Sequence, residues 1–419
     1  MKRTTPLFIA FVTVAIDLLG FGIMIPLLPR YAERFQGIIP TQWQGTVIGL
    51  LMCSFSLVQF LFAPVWGKLS DRYGRRPIVL IGLSGSWISY CMFAYATHIE
   101  SLWLLFVARA GQGLCGATIS TAQAIVADCT AAEERAKGMA LIGMAFGLGF
   151  TLGPILGALW VSDTLTGPPS AAPGIIAGLL SFLAWVLAYL FLKESLTSEQ
   201  HRAGHSWSAW QGLRLVVRQP VLLFPLLTFF IAIFAFGLFE GTMSRMTQRV
   251  LHYTDRENFY VFFIIGLTLT LTQGFIVRKL SPKWGEIRMI QWGVASMLLG
   301  MAGMAGAVFE QSTAIIYLSL ELIVVGFAFM TPNVQALISR RSDAHIQGEV
   351  LGIVQSIGAI ARILGPFLGN VLYGSPATPK PALPYLISAL LLGCSLAVAF
   401  RLHHGTPHRS LIMFKESGA

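Results

Sequence analysis

Gly67-Lys68-Leu69-Ser70-Asp71-Arg72-Tyr73-Gly74-Arg75-Arg76-Pro77 is the stretch on which the reading of this chain turns. It is short and polar, and it separates two long apolar segments at about 44–66 and 78–97. Gly74 suits a tight turn and Pro77 a helix start. Gly67 leaves room for a neighbouring helix. Asp71 can face a helix N-terminus and arginine side chains together, which favours one packing of the chain. Four cations between two apolar segments mark a cytoplasmic loop. Topology needs only the cations, and the spacing G-x-L-x-D-R-x-G-R-R-P specifies more than that.

The alternation of apolar runs and short breaks continues along all 419 residues. A spanning helix needs about 20 apolar residues. Twelve segments qualify, at about 7–29, 44–66, 78–97, 101–125, 138–161, 172–192, 220–243, 258–279, 288–308, 312–335, 347–373 and 382–401. Only 11% of the residues are charged, against roughly 25% in a soluble domain. So few charges cannot cover a water-exposed surface, which argues against a soluble enzyme. The mean hydropathy of +0.69 points the same way. The expected class is an all-α membrane protein with twelve transmembrane helices. Met1-Lys2-Arg3 and the run behind it imitate a signal peptide. The run continues to about Pro29 and carries Asp17, so it reads as a retained first spanning helix.

The net charge of +10 is a topological signal. Lys2, Arg3, the four cations of residues 67–77 and most of the remaining Lys and Arg fall on one side of the twelve segments. Arg30, Arg34, Arg245, Arg249, Arg256 and Lys380 fall on the other. Both termini are therefore expected in the cytoplasm, in a cell membrane of the bacterial inner-membrane type. No basic run is interleaved with stacking aromatics, so nucleic acid is not an expected partner. The cysteines form no C-x-x-C pair, and neither a metal nor a cofactor is expected. The longest polar break divides the chain into 1–192, a linker at 193–219 and 220–419. Trp207 and Trp210 in that linker suit an interfacial amphipathic helix or an ordinary connection with buried aromatics.

The two halves repeat each other. Residues 67–76 align with Arg278-Lys279-Leu280-Ser281-Pro282-Lys283-Trp284-Gly285-Glu286-Ile287, with Lys, Leu, Ser and Gly in register. Gly153-Pro154-Ile155-Leu156-Gly157 aligns with Gly365-Pro366-Phe367-Leu368-Gly369. The offsets, about 211 and 212 residues, nearly agree. A duplicated six-helix unit with sites at the interface is a common plan for secondary transporters. Gly149, Gly153 and Gly157 recur every four residues and open one helix face to close approach.

Residues 67–77 resemble the loop signature between helices 2 and 3 of the major facilitator superfamily. Leu105-Phe106-Val107-Ala108-Arg109-Ala110-Gly111-Gln112-Gly113 resembles that family's helix 4 motif. Gly149 to Gly157 resembles the helix 5 motif of its proton-coupled drug exporters. Asp17-Leu18-Leu19-Gly20-Phe21-Gly22, through Pro26 and Pro29, resembles their helix 1. The resemblance covers essentially the whole chain, and points to the drug:proton antiporter branch that includes tetracycline efflux proteins. It implies two six-helix bundles that rock about a central cavity. Gly67, Asp71, Arg72, Gly74 and Arg75 would form a latch for the outward-facing state. Gly149, Gly153, Pro154 and Gly157, with Gly365 and Pro366, would form a pliable contact between halves. The second copy has Pro282 where the first has Asp71, so only one half can carry an acidic latch. Helix 9 has no acidic residue, where some tetracycline exporters use a coupling carboxylate, so the resemblance does not extend to tetracycline itself.

Ionisable groups inside a spanning helix are costly and are functional candidates by default. They are Asp17, Arg109, Glu240, Glu321 and Arg362. Asp17 and Arg109 lie near one depth and can pair. Glu321 and Arg362 can pair likewise in the second half. A carboxylate moved between an apolar setting and an arginine can load and release a proton. Asp17 is the first candidate for that role, with Arg109 tuning it. Glu240, near the outer end of helix 7 on these limits, suits a gate or the cavity wall. Asp128 steadies a loop. Phe146 and Phe234 are candidate cavity linings with Glu240, Glu321 and Arg362. The expected function is proton-coupled export of a small amphipathic compound by a monomer in the lipid bilayer. The alternative is uptake of an organic acid, siderophore or sugar, since Arg109 and Arg362 suit an anion. A membrane enzyme is not expected, because no H-E-x-x-H, G-x-S-x-G or Walker pattern is present.

Overall fold

The structure is a computed structural model. It describes residues 4–33, 39–116, 119–129, 135–161, 170–195, 219–341, 347–375 and 377–401. Most of the linker, including Trp207 and Trp210, lies outside the described residues. The side chains of Asp17, Asp71 and Phe146 do so as well, although their backbones are helical.

The chain makes twelve passes. α1 (Thr4–Met24) continues through a tight turn at Ile25–Leu27 into Leu28–Glu33. α2 is Gln44–Tyr73, α3 is Arg75–His98, and α4 comes in two pieces, Leu102–Gly116 and Ile119–Cys129. α5 is Arg135–Ala158 and α6 is Ala172–Phe191. α7 is Pro220–Val250. α8 runs Asp255–Leu271, through a wide turn at Thr272–Val277, into Arg278–Trp284. α9 is Glu286–Glu310, α10 is Thr313–Arg341, α11 is Gln347–Tyr373 and α12 is Leu383–Phe400. Among the described residues, ten helical stretches are long and apolar enough to cross a membrane, and Leu102–Gly116 and Gly147–Ala158 are shorter apolar helices. The chain is a multi-pass membrane protein. Trp103, Trp292, Phe309 and Leu390 stand exposed on its flanks, as side chains that face lipid do.

Several helices run past the limits that apolarity sets. α2 does not end at Trp66. Residues 67–73 are its last two turns, and the break falls at Gly74, whose φ of 100° suits glycine. α7 continues from about 243 to Val250 because its polar residues are paired inside the protein. Arg245 is buried, not in a loop: it donates to Asn370 Oδ1 at 3.2 Å and to the Gly374 carbonyl at 2.9 Å, and packs over Tyr373. Thr247 and Asn258 are hydrogen-bonded to each other. The start of α8 is fixed by a capping box. Glu257 N–H donates to Thr254 Oγ1 at 3.3 Å, and Thr254 N–H donates to Glu257 Oε2 at 2.7 Å. Such a cap contributes about 1 kcal/mol.

Helix neighbours repeat between the halves. α1 packs on α5 and α6, α3 on α4 and α6, and α2 on α4. Correspondingly, α7 packs on α11 and α12, α9 on α10 and α12, and α8 on α10. The α1–α5 crossing is close because glycines meet. A Cβ on Gly22 would lie 2.3 Å from the Gly149 carbonyl oxygen, and one on Gly153 would lie 2.9 Å from Gly22. The α7–α11 crossing copies it: a Cβ on Gly365 would lie 2.9 Å from Gly237 Cα. Across the halves, α2 meets α11 and α5 meets α8. Each half also lends a residue to the other's core. Ile25 is buried in the cluster built by α7–α12, and Phe259 in that built by α1–α6.

Candidate functional site

The halves are sealed at one end. Arg30, on the extension of α1, forms an ion pair with Asp255 at the start of α8, Nε to Oδ2 at 3.0 Å. Arg256 donates to the carbonyls of Ala158 at 3.3 Å and Val161 at 3.2 Å. Ser375 Oγ donates to Gln44 Oε1 at 2.6 Å. A Cβ on Gly45 would lie 2.7 Å from the Asn370 carbonyl oxygen, and one on Gly157 would lie 2.2 Å from the Phe259 ring. The α5–α8 contact reaches deeper, to Gly266 against Phe150 and a Thr151–Thr270 hydroxyl pair at 3.1 Å. Thr270 is fifteen residues into α8, roughly 22 Å from its start. At the opposite end, which carries residues 67–77, no described residue lies within 4 Å of a Cβ on Gly67, Gly274 or Gly285. Lys68, Arg72, Arg278 and Lys279 are exposed there.

The quoted stretch is tied to its own half. Arg75 donates to Ser70 Oγ at 2.6 Å and to Asp128 Oδ2 at 3.2 Å. Ser195 Oγ also donates to Asp128 Oδ2, at 3.1 Å. The N-terminus of α3 has no cap from its own sequence, because the preceding residue is Gly74. Glu194 supplies one. Its carboxylate accepts from Arg75 N–H at 2.8 Å and Arg76 N–H at 3.1 Å. A Cβ on Gly74 would stand 2.5 Å from Glu194 Oε2. Sequence reasoning missed Glu194. An acid directly after α6 was visible, but only folding brings it 119 residues back along the chain. Arg72 packs over the Tyr73 ring at 5.3 Å.

In the first half, Arg109 is buried to 1% exposure. It donates to Gln112 Oε1 at 2.8 Å and sits against the faces of Phe55 and Phe21, at 5.1 and 6.0 Å. Among the described residues, its Nε and the Gln112 amide nitrogen have no hydrogen-bond partner. A buried guanidinium with so few partners is costly unless a counter-charge is supplied. Asp17 stands on α1 beside Leu18, which packs against Gly149.

In the second half the pairing differs from the sequence expectation. Glu321 accepts from Thr268 Oγ1 at 3.2 Å and does not pair with Arg362. The opposite charge that Arg362 feels is that of Glu240. Glu240 is not at the end of α7 either. The helix runs ten residues beyond it, so it lies at membrane depth. Arg362 is exposed within the apolar span Ile353–Tyr373, and its Nη1 lies 3.5 Å from where a Cβ on Gly358 would be, beside Phe229 and Ile233 of α7. Phe234 stacks on Phe230 with centroids 6.0 Å apart, and Phe236 stacks on Phe327 at 4.1 Å. Gly149 and Gly153 face α1 of their own half, whereas Gly157 faces Phe259 of the other. Gly365 and Pro366 face α7 at Gly237 and Gly241. Among the described residues no group of His, Cys, Asp and Glu is placed to hold a metal.

The family model described as Major Facilitator Superfamily matches residues 10–366. The chain is 29% identical over 401 residues to the class C tetracycline resistance protein of Escherichia coli, covering 93% of this chain and 95% of that protein. The crystal structure of the human organic anion transporter MFSD10 superposes with a TM-score of 0.67 at 26% identity, covering 95% of this chain and all of that one. That of a D-xylose–proton symporter gives 0.72 at 14% identity, covering 97% of this chain and 98% of that one, which is a likeness of fold.

Proposed function

The chain belongs to the Major Facilitator Superfamily and is a secondary transporter with no enzymatic role, and from that premise we propose that it exports small amphipathic compounds in exchange for protons. The moving bodies are residues 1–192 and 220–419, joined by 193–219, and the monomer is the working unit. The end that carries residues 67–77 faces the cytoplasm, because Lys and Arg concentrate there. In a bacterium the host is the inner membrane. The conformation described is then open to the cytoplasm, and the latch of Gly67, Asp71, Arg72, Gly74 and Arg75 is assigned to the outward-facing state. The pliable contact between the halves is assigned to Gly157 against Phe259, whereas Gly149, Gly153, Pro154, Gly365 and Pro366 serve close packing of α5 and α11 within their own halves.

The observation that carries this reading is the buried Arg109 with its incomplete set of partners. We assign it, with Asp17, to proton coupling. A proton on Asp17 leaves Arg109 without a counter-charge, and its loss restores one. Phe146, Phe234, Glu240, Glu321 and Arg362 line the substrate path. Export is favoured by the likeness to tetracycline resistance proteins. In energised everted vesicles, adding a transported drug should release protons from the lumen. A broad panel of amphipathic drugs that never does so would remove the export reading.

A second reading is uptake of an organic solute. It is favoured by Arg362, an exposed cation at membrane depth that suits a carboxylate. Accumulation of a labelled organic acid in right-side-out vesicles under an inward proton gradient would support it.

A further inference from the structure

We propose that Glu240 and Arg362 are the two poles of a binding site for zwitterionic amphipathic compounds with an aromatic body. This rests on the transporter reading and goes beyond it by naming the charge of the substrate. Both residues lie inside apolar spans, Val221–Val250 and Ile353–Tyr373. A charge at that depth ordinarily finds a partner in the protein. These two make no hydrogen bond and no ion pair with any described residue, although each lies within electrostatic reach of the other.

The geometry explains why they do not touch. α7 and α11 cross where Gly237 and Gly241 meet Gly365 and Pro366. Glu240 stands on α7 at that crossing. Arg362 precedes it on α11 and turns its guanidinium back to the level of Phe229 and Ile233. From Ile233 to Glu240 is seven residues, roughly 10 Å along the helix. Across that interval the two side chains form no ion pair, and one small molecule can bridge it.

The charges sum to zero, so the complementary ligand is neutral overall with a cation at one end and an anion at the other. An ammonium meets Glu240, and a carboxylate meets the fork of Arg362. The stretch of α7 between the poles carries Phe234, stacked on Phe230, and Phe236, stacked on Phe327. Phe236 precedes Glu240 by one turn and so shares its face of α7, and its ring offers an aromatic wall to the body of the ligand. Glu321 lies outside the site, held by Thr268.

The test uses three matched probes on the full-length protein in lipid nanodiscs. One is an aminomethyl-biphenyl carboxylic acid with its charges at opposite ends. The second is its methyl ester, which is only a cation, and the third is its N-acetyl derivative, which is only an anion. Titration calorimetry should show the zwitterion binding at least about tenfold more tightly than either analogue, the cost of one lost charged contact. Glu240→Gln should reduce the zwitterion to the affinity of the N-acetyl probe and leave that probe unchanged. Arg362→Gln should reduce it to the affinity of the ester. Glu240→Asp and Arg362→Lys should recover part of the preference and control for misfolding. Equal affinity for all three probes, or no binding of any, overturns the proposal, as does a substitution that weakens all three alike. Proton release in vesicles is scored separately. If the zwitterion binds as expected but never moves protons, the site stands and the export reading falls. If another compound releases protons while the three probes bind equally, the reverse holds.

Discussion

Arg75 and Asp128 form an ion pair, Nε to Oδ2 at 3.2 Å, and the second half of the chain repeats this bridge with its charges exchanged, as Glu286 and Arg340 at 3.1 Å. The offsets are those of the sequence repeat, about 211 residues from Arg75 to Glu286 and 212 from Asp128 to Arg340. Duplication has kept the contact while the two positions traded sign. Arg109 and Glu321 are related in the same way, at an offset of 212.

Burial decides what each bridge contributes. The first pair is 9% and 13% exposed, whereas Arg340 in the second is 75% exposed. Removing one partner of a buried pair costs about 3 kcal/mol. A solvated pair is worth about 1 kcal/mol at most. Asp128→Asn is therefore expected to lower the melting temperature of the purified protein clearly and to slow transport, and Glu286→Gln to change neither much. Equal melting of the two variants would show that burial is not what separates them.

The Arg30–Asp255 pair joins the halves at their sealed end, with 13% and 6% exposure. Asp255→Asn removes the charge of this buried pair and weakens that end by about 3 kcal/mol. Open-to-the-outside molecules should then become more populated by well over tenfold. Spin labels at Thr41 and Lys380, both exposed at that end, report the change as a shift to longer distances. An unchanged distance distribution in Asp255→Asn would show that the apolar contacts seal this end alone.

Much of this architecture was legible in the sequence, for a physical reason. Apolar length sets each spanning segment, and duplication set the order of packing. The limits failed where polar residues are satisfied inside the protein. Arg245 ends an apolar run, yet α7 continues because Asn370 and Gly374 receive its charge. Glu240 was placed near a helix end for the same reason. The expected Glu321–Arg362 pair failed because sequence gives depth along a helix but not rotation about it. Arg362 faces α7, while Glu321 faces Thr268 of α8.

Close glycine crossings predict a contrast in stability. Gly22→Ala would drive a methyl to 2.3 Å from the Gly149 carbonyl oxygen. Helical backbone on both sides cannot yield easily, so the variant should lose about 1–3 kcal/mol. Gly306→Ala lies inside α9, and its methyl meets no described residue within 4 Å. It should be neutral or gain up to about 1 kcal/mol from helix propensity. Thermal melting in one detergent compares the two directly. A Gly22→Ala protein as stable as Gly306→Ala would mean that α1 and α5 separate without cost.

Arg109 gives the sharpest test of coupling. Its guanidinium is buried against Phe21 and Phe55, with Gln112 as its hydrogen-bond acceptor. Asp17→Asn removes the proton site assigned above while keeping a side chain of the same shape. Proton-driven accumulation should vanish, and substrate binding should survive in part, because the wall formed by Phe234 and Arg362 is untouched. Arg109→Gln should give the same loss of coupling, because the carboxylate then has no partner to alternate with. Downhill exchange of labelled for unlabelled substrate needs no net proton movement, so it should persist in Asp17→Asn. Normal coupled accumulation in that variant would move the proton site elsewhere, with Glu240 the next carboxylate to test.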